Sequence, residues 1–485
     1  MSISTPLQNA GKSRPRLILA VLALGGAAYA LLQSLVVPAL PVLQRDLHTS
    51  TSGVAWVFTA YLLAASVVTP IAGRLGDMFG KKRVLVIALA GLAAGSLLAA
   101  VATSLTVMIV ARAIQGLGGA IFPLAFGILR DEFPRERVAG AIALVSGILG
   151  IGGGLGIVLA GPILDHLSYH WLFWIPLAVT SVAAVAAIRF IPESTSRASG
   201  NIHWLGGALL SAWLVTLLVA VSEGPTWHWG STKTLGLFVI AAVLAAAWVK
   251  AESGSRHPLV DMKMMRLPAV WTTNAAALLL GFGMYSAFVL IPQFVQTPES
   301  TGYGYGASVS QAGLFLVPTT TALLITSPIG GRLSIAIGSK VPLVLGSILT
   351  TIAFVILATA GAQWEIYLAA TLVGAGVGFA FASMANLIVE AVPAEQTGVA
   401  TGMNTIVRTI GGAIGAEIAA SVLAAHLLAS GEPAKQGYTI TFWICAAVLV
   451  AGVLASLAVP RRRRQPAHSL QLAETSFAAE AREAA

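Results

Sequence analysis

The sequence predicts an all-α integral membrane protein of fourteen transmembrane helices, built as two six-helix bundles with two further helices inserted between them. Three observations predict this: fourteen apolar runs of membrane-crossing length, a one-sided distribution of Lys and Arg among the connections, and a repeat at an offset of 258 residues.

The chain has 485 residues, of which 57% are hydrophobic and 10% charged. A soluble domain runs roughly 45–50% apolar and ~25% charged. So few charges cannot cover a water-exposed surface, and lipid must solvate much of the chain. The lone cysteine, Cys445, sits in an apolar run and offers neither a disulfide framework nor a thiolate metal site. The eight histidines show no paired ligand spacing, so neither a metal nor a cofactor is expected. The net charge of +9 lies in short loops rather than along one face, which argues against nucleic acid as a partner.

A membrane helix needs about 20 mostly apolar residues. Such runs lie at 17–43, 54–72, 83–102, 106–129, 138–163, 170–190, 204–222, 234–250, 269–296, 309–334, 341–361, 365–391, 398–425 and 439–459, numbered here as spans 1 to 14. The first follows basic residues and contains Ala28-Tyr29-Ala30, as a signal peptide would. Its apolar stretch continues through Leu43, too far for a cleaved leader, so it is expected to stay as a span.

With the N-terminus in the cytoplasm, 23 of the 28 Lys and Arg residues fall in cytoplasmic tails and loops. Arg45, Lys233 and Lys435 fall outside, and Arg112 and Arg408 lie within spans. This asymmetry predicts an even number of spans in a multi-pass protein of the cell (inner) membrane, with both termini cytoplasmic. Arg461 to Arg464 forms a basic stop that favours anionic lipid, and the polar tail from Gln465 is expected to be disordered.

Gly73-Arg74-Leu75-Gly76-Asp77-Met78-Phe79-Gly80-Lys81-Lys82 after span 2 returns as Gly331-Arg332-Leu333-Ser334-Ile335-Ala336-Ile337-Gly338-Ser339-Lys340 after span 10, at an offset of 258. The same offset carries Gly116 and Gly118 onto Gly374 and Gly376, and one residue later Pro134 and Glu136 fall on Pro393 and Glu395. Spans 1–6 therefore repeat as spans 9–14. The expected units are a tail over 1–16, a first bundle over 17–190, an inserted helix pair over 204–250, a second bundle over 269–460 and a basic, then disordered, tail over 461–485. Parallel six-helix repeats are a design used by secondary transporters.

The loop after span 2 holds Gly73, Asp77, Gly80, Lys81 and Arg83. Its glycines let two helix ends approach closely, and a carboxylate there can sit against a helix N-terminus. Span 4 carries Arg112-Ala113-Ile114-Gln115-Gly116-Leu117-Gly118-Gly119-Ala120. An arginine inside a span costs at least about 2.5–3.5 kcal/mol on insertion scales, so it should face a cavity or a polar partner. Span 5 carries Gly147, Gly152, Gly153, Gly154 and Gly156, then Gly161-Pro162, a spacing that suits close helix packing. Span 2 opens with Trp56-Val57-Phe58-Thr59-Ala60-Tyr61-Leu62-Leu63.

Together these motifs resemble those of the major facilitator superfamily, in particular its fourteen-helix drug:proton antiporters of the multidrug efflux type, over residues 17–460. The resemblance implies the major facilitator fold. It also implies that Asp77 docks on the start of span 13, near Thr397 and Gly398, and latches an outward-facing state. It links Arg112 to proton transfer, beside the alternative that Arg112 pins span 4 to its neighbours. Gly152, Gly156, Gly161 and Pro162 stand at the antiporter-associated packing motif. The chain departs from the pattern in four places: Ile335 replaces the aspartate in the second loop, Ile157 the proline expected after Gly156, Ala160 the first of a glycine pair, and Leu32, beside Gln33, the span-1 aspartate.

Nearly all of the 19 acidic residues lie in loops or at span ends. Glu417 is inside span 13, nine residues from Arg408, or about 13–14 Å along a helix and too far for a direct pair. An acid in an apolar cavity is a natural proton site, the alternative being a neutral Glu bonded to a neighbouring helix. Asp165, with His166, at the outer end of span 5 is a weaker second candidate. Gln33, Tyr61, Gln115, Asn274, Tyr285, Phe288, Gln293, Asn386 and Asn404 are candidates to line a central cavity. Gly411, Gly412 and Gly415, with Gly374, Gly376 and Gly378, read as packing positions, because no strand precedes them and no Lys-Ser follows as a nucleotide loop requires.

The resulting expectation is a monomeric, non-enzymatic, proton-coupled secondary transporter, exporting amphiphilic small molecules such as drugs or antibiotics across a lipid bilayer by alternating access. Resistance to antibiotics would follow. The missing span-1 acid leaves open export or flipping of a lipid-like or specific metabolite, and the direction leaves open proton-coupled import.

Overall fold

The computed structural model describes residues 15–460, apart from 37, 50 and 195–202. Among the described residues, fourteen helices are long and apolar enough to cross a membrane. They are Pro15–Leu35, Trp56–Phe79, Lys81–Ala100, Leu105–Glu132, Glu136–His166, Trp171–Phe190, Trp204–Trp227, Thr232–Gly254, Pro268–Gln296, Ser310–Ile337, Lys340–Thr359, Gln363–Ala391, Thr397–Ala424 and Lys435–Ala458, in the order of spans 1 to 14.

Two boundaries differ from the hydropathy reading in ways that matter. The run at 17–43 is not one helix: span 1 ends at Leu35, and a short helix follows over Leu40–Asp46. Pro38 explains the break, because it has no N–H to continue the ladder of span 1, while Pro41 fits the first turn of a new helix. Span 7 runs five residues beyond 222, to Trp227 and through Pro225, which carries Glu223 into the helix. Span 4 is helical across its whole length, but its centre, Gly116–Ala120, tightens into a 3-10 segment where the glycines crowd.

Two cores divide the chain. One joins buried residues of spans 1–6, such as Leu22, Leu92, Ile142 and Phe173, and is capped by Ala385 and Val389. The other joins spans 9–14 through residues such as Leu290, Phe354, Val373 and Phe442. A smaller cluster binds the inserted helices to both, placing Leu210, Leu214 and Trp248 with Leu63, Met403 and Ile406. The two halves meet chiefly along span 5 against span 10 and span 2 against span 13, and span 7 packs on spans 2 and 13. Outward faces are apolar: Val182 and Val185 of span 6 and Val239 and Val243 of span 8 are each at least 60% exposed. A belt of this kind is stable against acyl chains and not against water.

Glycines set the closest approaches. A Cβ on Gly374 would lie 2.7 Å from the Thr319 backbone, and one on Gly412 would enter the Tyr285 ring. On span 5, a Cβ on Gly156 would stand 2.9 Å from the Ser34 Cβ, and one on Gly161 3.0 Å from the Ser310 Cα. Gly152 likewise abuts Ala30. Span 5 thus packs on span 1 of its own half and span 10 of the other, and its helix continues through Pro162 to His166.

Candidate functional site

A cavity of about 320 Å³ lies between the two halves. Its walls come from both: Gln33 and Phe58 from the first, Tyr285, Phe288, Phe381 and Glu417 from the second. Span 7 closes one side with Leu218 and Ser222, and Ser222 shares a hydrogen bond of 3.2 Å with Thr59. Gln33 Nε2 donates to Tyr285 Oη at 3.0 Å across the divide. The lining is overwhelmingly apolar, with a few polar groups and one acid, the general character of a small-molecule site. A larger cleft of about 690 Å³ lies within the second half, near Pro268, Lys340 and Pro460. It does not reach the first half, so it is not the shared site.

The cavity occupies the end of the bundle opposite the termini. Phe58 and Leu62 begin span 2, while Thr409 to Ala420 fill the last half of span 13. Toward the termini the halves are pressed together. A Cβ on Gly73 would lie 2.7 Å from the Gly398 carbonyl oxygen, and one on Gly398 3.1 Å from Asp77 Oδ2. The Asp77 carboxylate is 1% exposed and sits at the N-terminal turn of span 13, beside the Val399 amide. The hydrogen-bond geometry there is poor, and neither carboxylate oxygen is satisfied among the described residues. What holds the charge is the field of the helix N-terminus and nearby cations rather than a bond.

One of those cations, Lys81, is well anchored. Lys81 donates to Asp131 at 2.7 Å, and both side chains are buried. Arg130 donates to the Val392 carbonyl at 3.0 Å and to Thr397 Oγ1 at 2.5 Å, tying the two halves. Gly80 makes the turn into span 3 with φ +112°, a conformation that suits only glycine, and Arg83 makes an exposed pair with Glu193 at 3.4 Å. Asn386 joins this seam, donating to the Ala139 carbonyl at 3.4 Å.

Arg112 is fully buried behind the cavity. Its Nε donates to the Val57 carbonyl at 2.9 Å and its Nη1 to the Leu32 carbonyl at 3.2 Å and Gln115 Oε1 at 2.7 Å. Its guanidinium stacks 4.2 Å over the Tyr61 ring. At the position where the resemblance expects an acid, a backbone carbonyl therefore meets the arginine. Among the described residues no carboxylate pairs with it, and Nη2 has no partner.

Several expected cavity residues do not line the main cavity. Tyr61 is sealed beneath Arg112 and donates to the Tyr29 carbonyl at 3.3 Å. Gln115 turns to span 3, where it donates to Ser96 at 3.2 Å. Asn274 and Asn404 bond each other at 2.9 Å between spans 9 and 13. Gln293 is exposed near the far end of span 9. Gln33, Tyr285, Phe288 and Glu417 do line the cavity. Asp165 is exposed at the far face, accepting from Ser310 at 2.8 Å. Ser222, Glu223, Arg130 and the Lys81–Asp131 pair escaped the sequence reading. Glu223 could have been found had span 7 been extended past Pro225; it stands close enough to Glu417 for the two carboxylates to repel. Among the described residues no cluster of His, Cys, Asp and Glu could hold a metal.

A sequence profile of the Major Facilitator Superfamily matches residues 22–416, with a second match over 298–483. The tetracenomycin C resistance and export protein of Streptomyces glaucescens is 30% identical over 395 residues, 80% of this chain and 72% of that protein. The multidrug transporter protein MdtP of Bacillus subtilis is 29% identical over 368 residues, 75% of this chain and 67% of that one. Among solved structures, the human organic anion transporter MFSD10 (TETRAN) superposes with a TM-score of 0.68 at 16% identity, covering 92% of this chain and all of that one, a likeness of fold.

Proposed function

This chain belongs to the Major Facilitator Superfamily, a family of membrane transporters rather than enzymes, and we propose that it exports amphiphilic small molecules in exchange for protons. The observation that carries the reading is Glu417, the one acid among the described residues on the wall of a predominantly apolar cavity between the halves. An ionised carboxylate is costly there and a protonated one is not. Proton occupancy and an amphiphile's occupancy of the same small space then exclude one another, which is what exchange requires. Relatives named as a tetracenomycin C resistance and export protein and as a multidrug transporter support the substrate class.

Alternating access follows from the seam. The halves press together at Gly73, Asp77 and Arg130 against the start of span 13, a closed gate on the termini face. Rocking the halves about the cavity would open that gate and close the other side. With the termini in the cytoplasm of the cell (inner) membrane, the described state faces outward. The chain works as a monomer, since one copy holds a whole cavity.

The orientation is tested in a Cys445→Ala background, Cys445 being buried. Ser300→Cys should react with an impermeant maleimide from outside the cell, and Arg256→Cys only from the cytoplasm; labelling of both from one side refutes the topology. The function is tested in proteoliposomes with an imposed pH gradient and a panel of amphiphiles. One pH unit should drive up to about tenfold accumulation per proton exchanged, on the acidic side, and collapse with a protonophore. Accumulation that ignores the gradient would exclude proton exchange.

A further inference from the structure

Arg408, halfway along span 13, is 8% exposed. Among the described residues its guanidinium makes neither a hydrogen bond nor an ion pair, and it lies 4.3 Å over the Phe381 ring. Arg112 differs, because three acceptors meet its Nε and Nη1, leaving only Nη2 unbonded among the described residues. A buried, charged and unbonded guanidinium is too costly to keep without a use.

Its surroundings suggest the use. Two small cavities, of about 20 and 10 Å³, meet at Arg408. The first is edged by Ser66, Thr69, Tyr285 and Thr409, and shares Gln33, Leu62, Tyr285 and Thr409 with the 320 Å³ cavity beside it. The second brings Ser146, Thr401 and Asn404. This annex has room for one small polar group and not for an apolar body. Among the described residues no Asp or Glu lines either cavity. Because Tyr285 Oη already accepts from Gln33, its own hydrogen is free to donate. Hydroxyl groups can donate to an anion as well, and the guanidinium adds a planar fork of N–H groups that matches a carboxylate.

We propose that the transported amphiphile carries an acidic group, a carboxylate or an equivalent oxyanion, which seats against Arg408 and Tyr285 while its apolar body fills the cavity lined by Phe58, Phe288 and Phe381. The inference rests on the cavity being the substrate site and goes beyond it by assigning the charge of the substrate. It also separates the tasks of two charges on one helix: Arg408 takes the substrate's head group, and Glu417, more than two turns away, faces the apolar end.

The test is binding without any gradient, so it does not depend on coupling. The full chain in lipid nanodiscs is titrated by calorimetry with 2-naphthylacetate, 2-naphthylethanol and 2-naphthylmethyl-trimethylammonium. Wild type should bind the carboxylate about tenfold or more tighter than the alcohol, with the ammonium weakest. Arg408→Gln should remove that preference and leave the alcohol within about twofold, and Arg408→Lys should retain part of it, since a point charge lacks the fork. Equal binding of the three probes by wild type, a preference for the ammonium, binding of none, or an equal loss for all three in Arg408→Gln overturns the proposal. If Arg408→Gln fails to fold, the wild-type ranking and Arg408→Lys still decide. Acid preference without gradient-driven flux would sink the export reading and leave this one standing.

Discussion

Glu417→Gln is expected to abolish gradient-driven accumulation in proteoliposomes while leaving substrate binding largely intact. Glutamine has nearly the shape of a protonated glutamate and cannot release a proton, so the cavity is frozen in one protonation state. Under a gradient of one pH unit, accumulation should fall from as much as about tenfold per proton to none. Exchange of labelled for unlabelled substrate, which needs no net proton movement, should continue. Binding should also lose pH dependence to the extent that Glu417 supplies it. Glu223 stands near enough to Glu417 to repel it. Glu223→Gln alone should therefore shift the pH profile and not abolish coupling, and the double variant should match Glu417→Gln. Undiminished accumulation by Glu417→Gln would remove the residue from the mechanism. A variant that fails to assemble while Glu417→Asp assembles would make it a structural acid.

Asp77→Asn is expected to open the gate on the termini face and slow transport without loss of assembly. The carboxylate is buried at the N-terminus of span 13, with no satisfied oxygen. Its contribution is thus electrostatic, of the kind worth up to about 2 kcal/mol when partly buried. Losing 1–2 kcal/mol shifts a two-state equilibrium by roughly 5–30-fold. Asparagine fills the same space and removes a charge that costs energy to bury, so the fold should stay at least as stable. Spin labels on Lys82→Cys and Glu395→Cys, in the Cys445→Ala background, report the separation of the halves. Asp77→Asn should populate a longer distance and lower the transport rate, while Lys81 and Asp131 keep their pair. An unchanged distance distribution would leave the loop as a topological anchor only.

The major facilitator fold was legible because lipid imposes a simple rule. Every backbone group must be satisfied within its own segment, so each crossing is a long apolar helix that stands out in the sequence. The rule failed locally where apolar residues are not helical, as at Pro38 and Ala39, and where a helix continues past a polar residue, as at Glu223. The packing role of the glycines was legible too: Gly412 against Tyr285 and Gly374 against Thr319 are contacts that no larger residue allows.

The cavity was legible only in part. Gln33, Tyr285, Phe288 and Glu417 face it, while Gln115, Asn274, Asn386 and Asn404, chosen on the same grounds of polarity within a span, bond to neighbouring helices instead. Sequence alone determined the number of helices, the repeat of 258 residues, the loop at Gly73 to Arg83 and the placement of charge inside spans at Arg112 and Glu417. Those are properties of a segment taken by itself, set by hydropathy, spacing and glycine. Tertiary structure decided which polar groups turn inward, that Arg112 is met by carbonyls and Tyr61, that Arg408 is met by no acceptor among the described residues, and that span 7 contributes Ser222 to the wall. The reason is rotational. A span apolar all round carries no signal for its angle about its own axis, and only packing against its neighbours fixes which side faces the cavity.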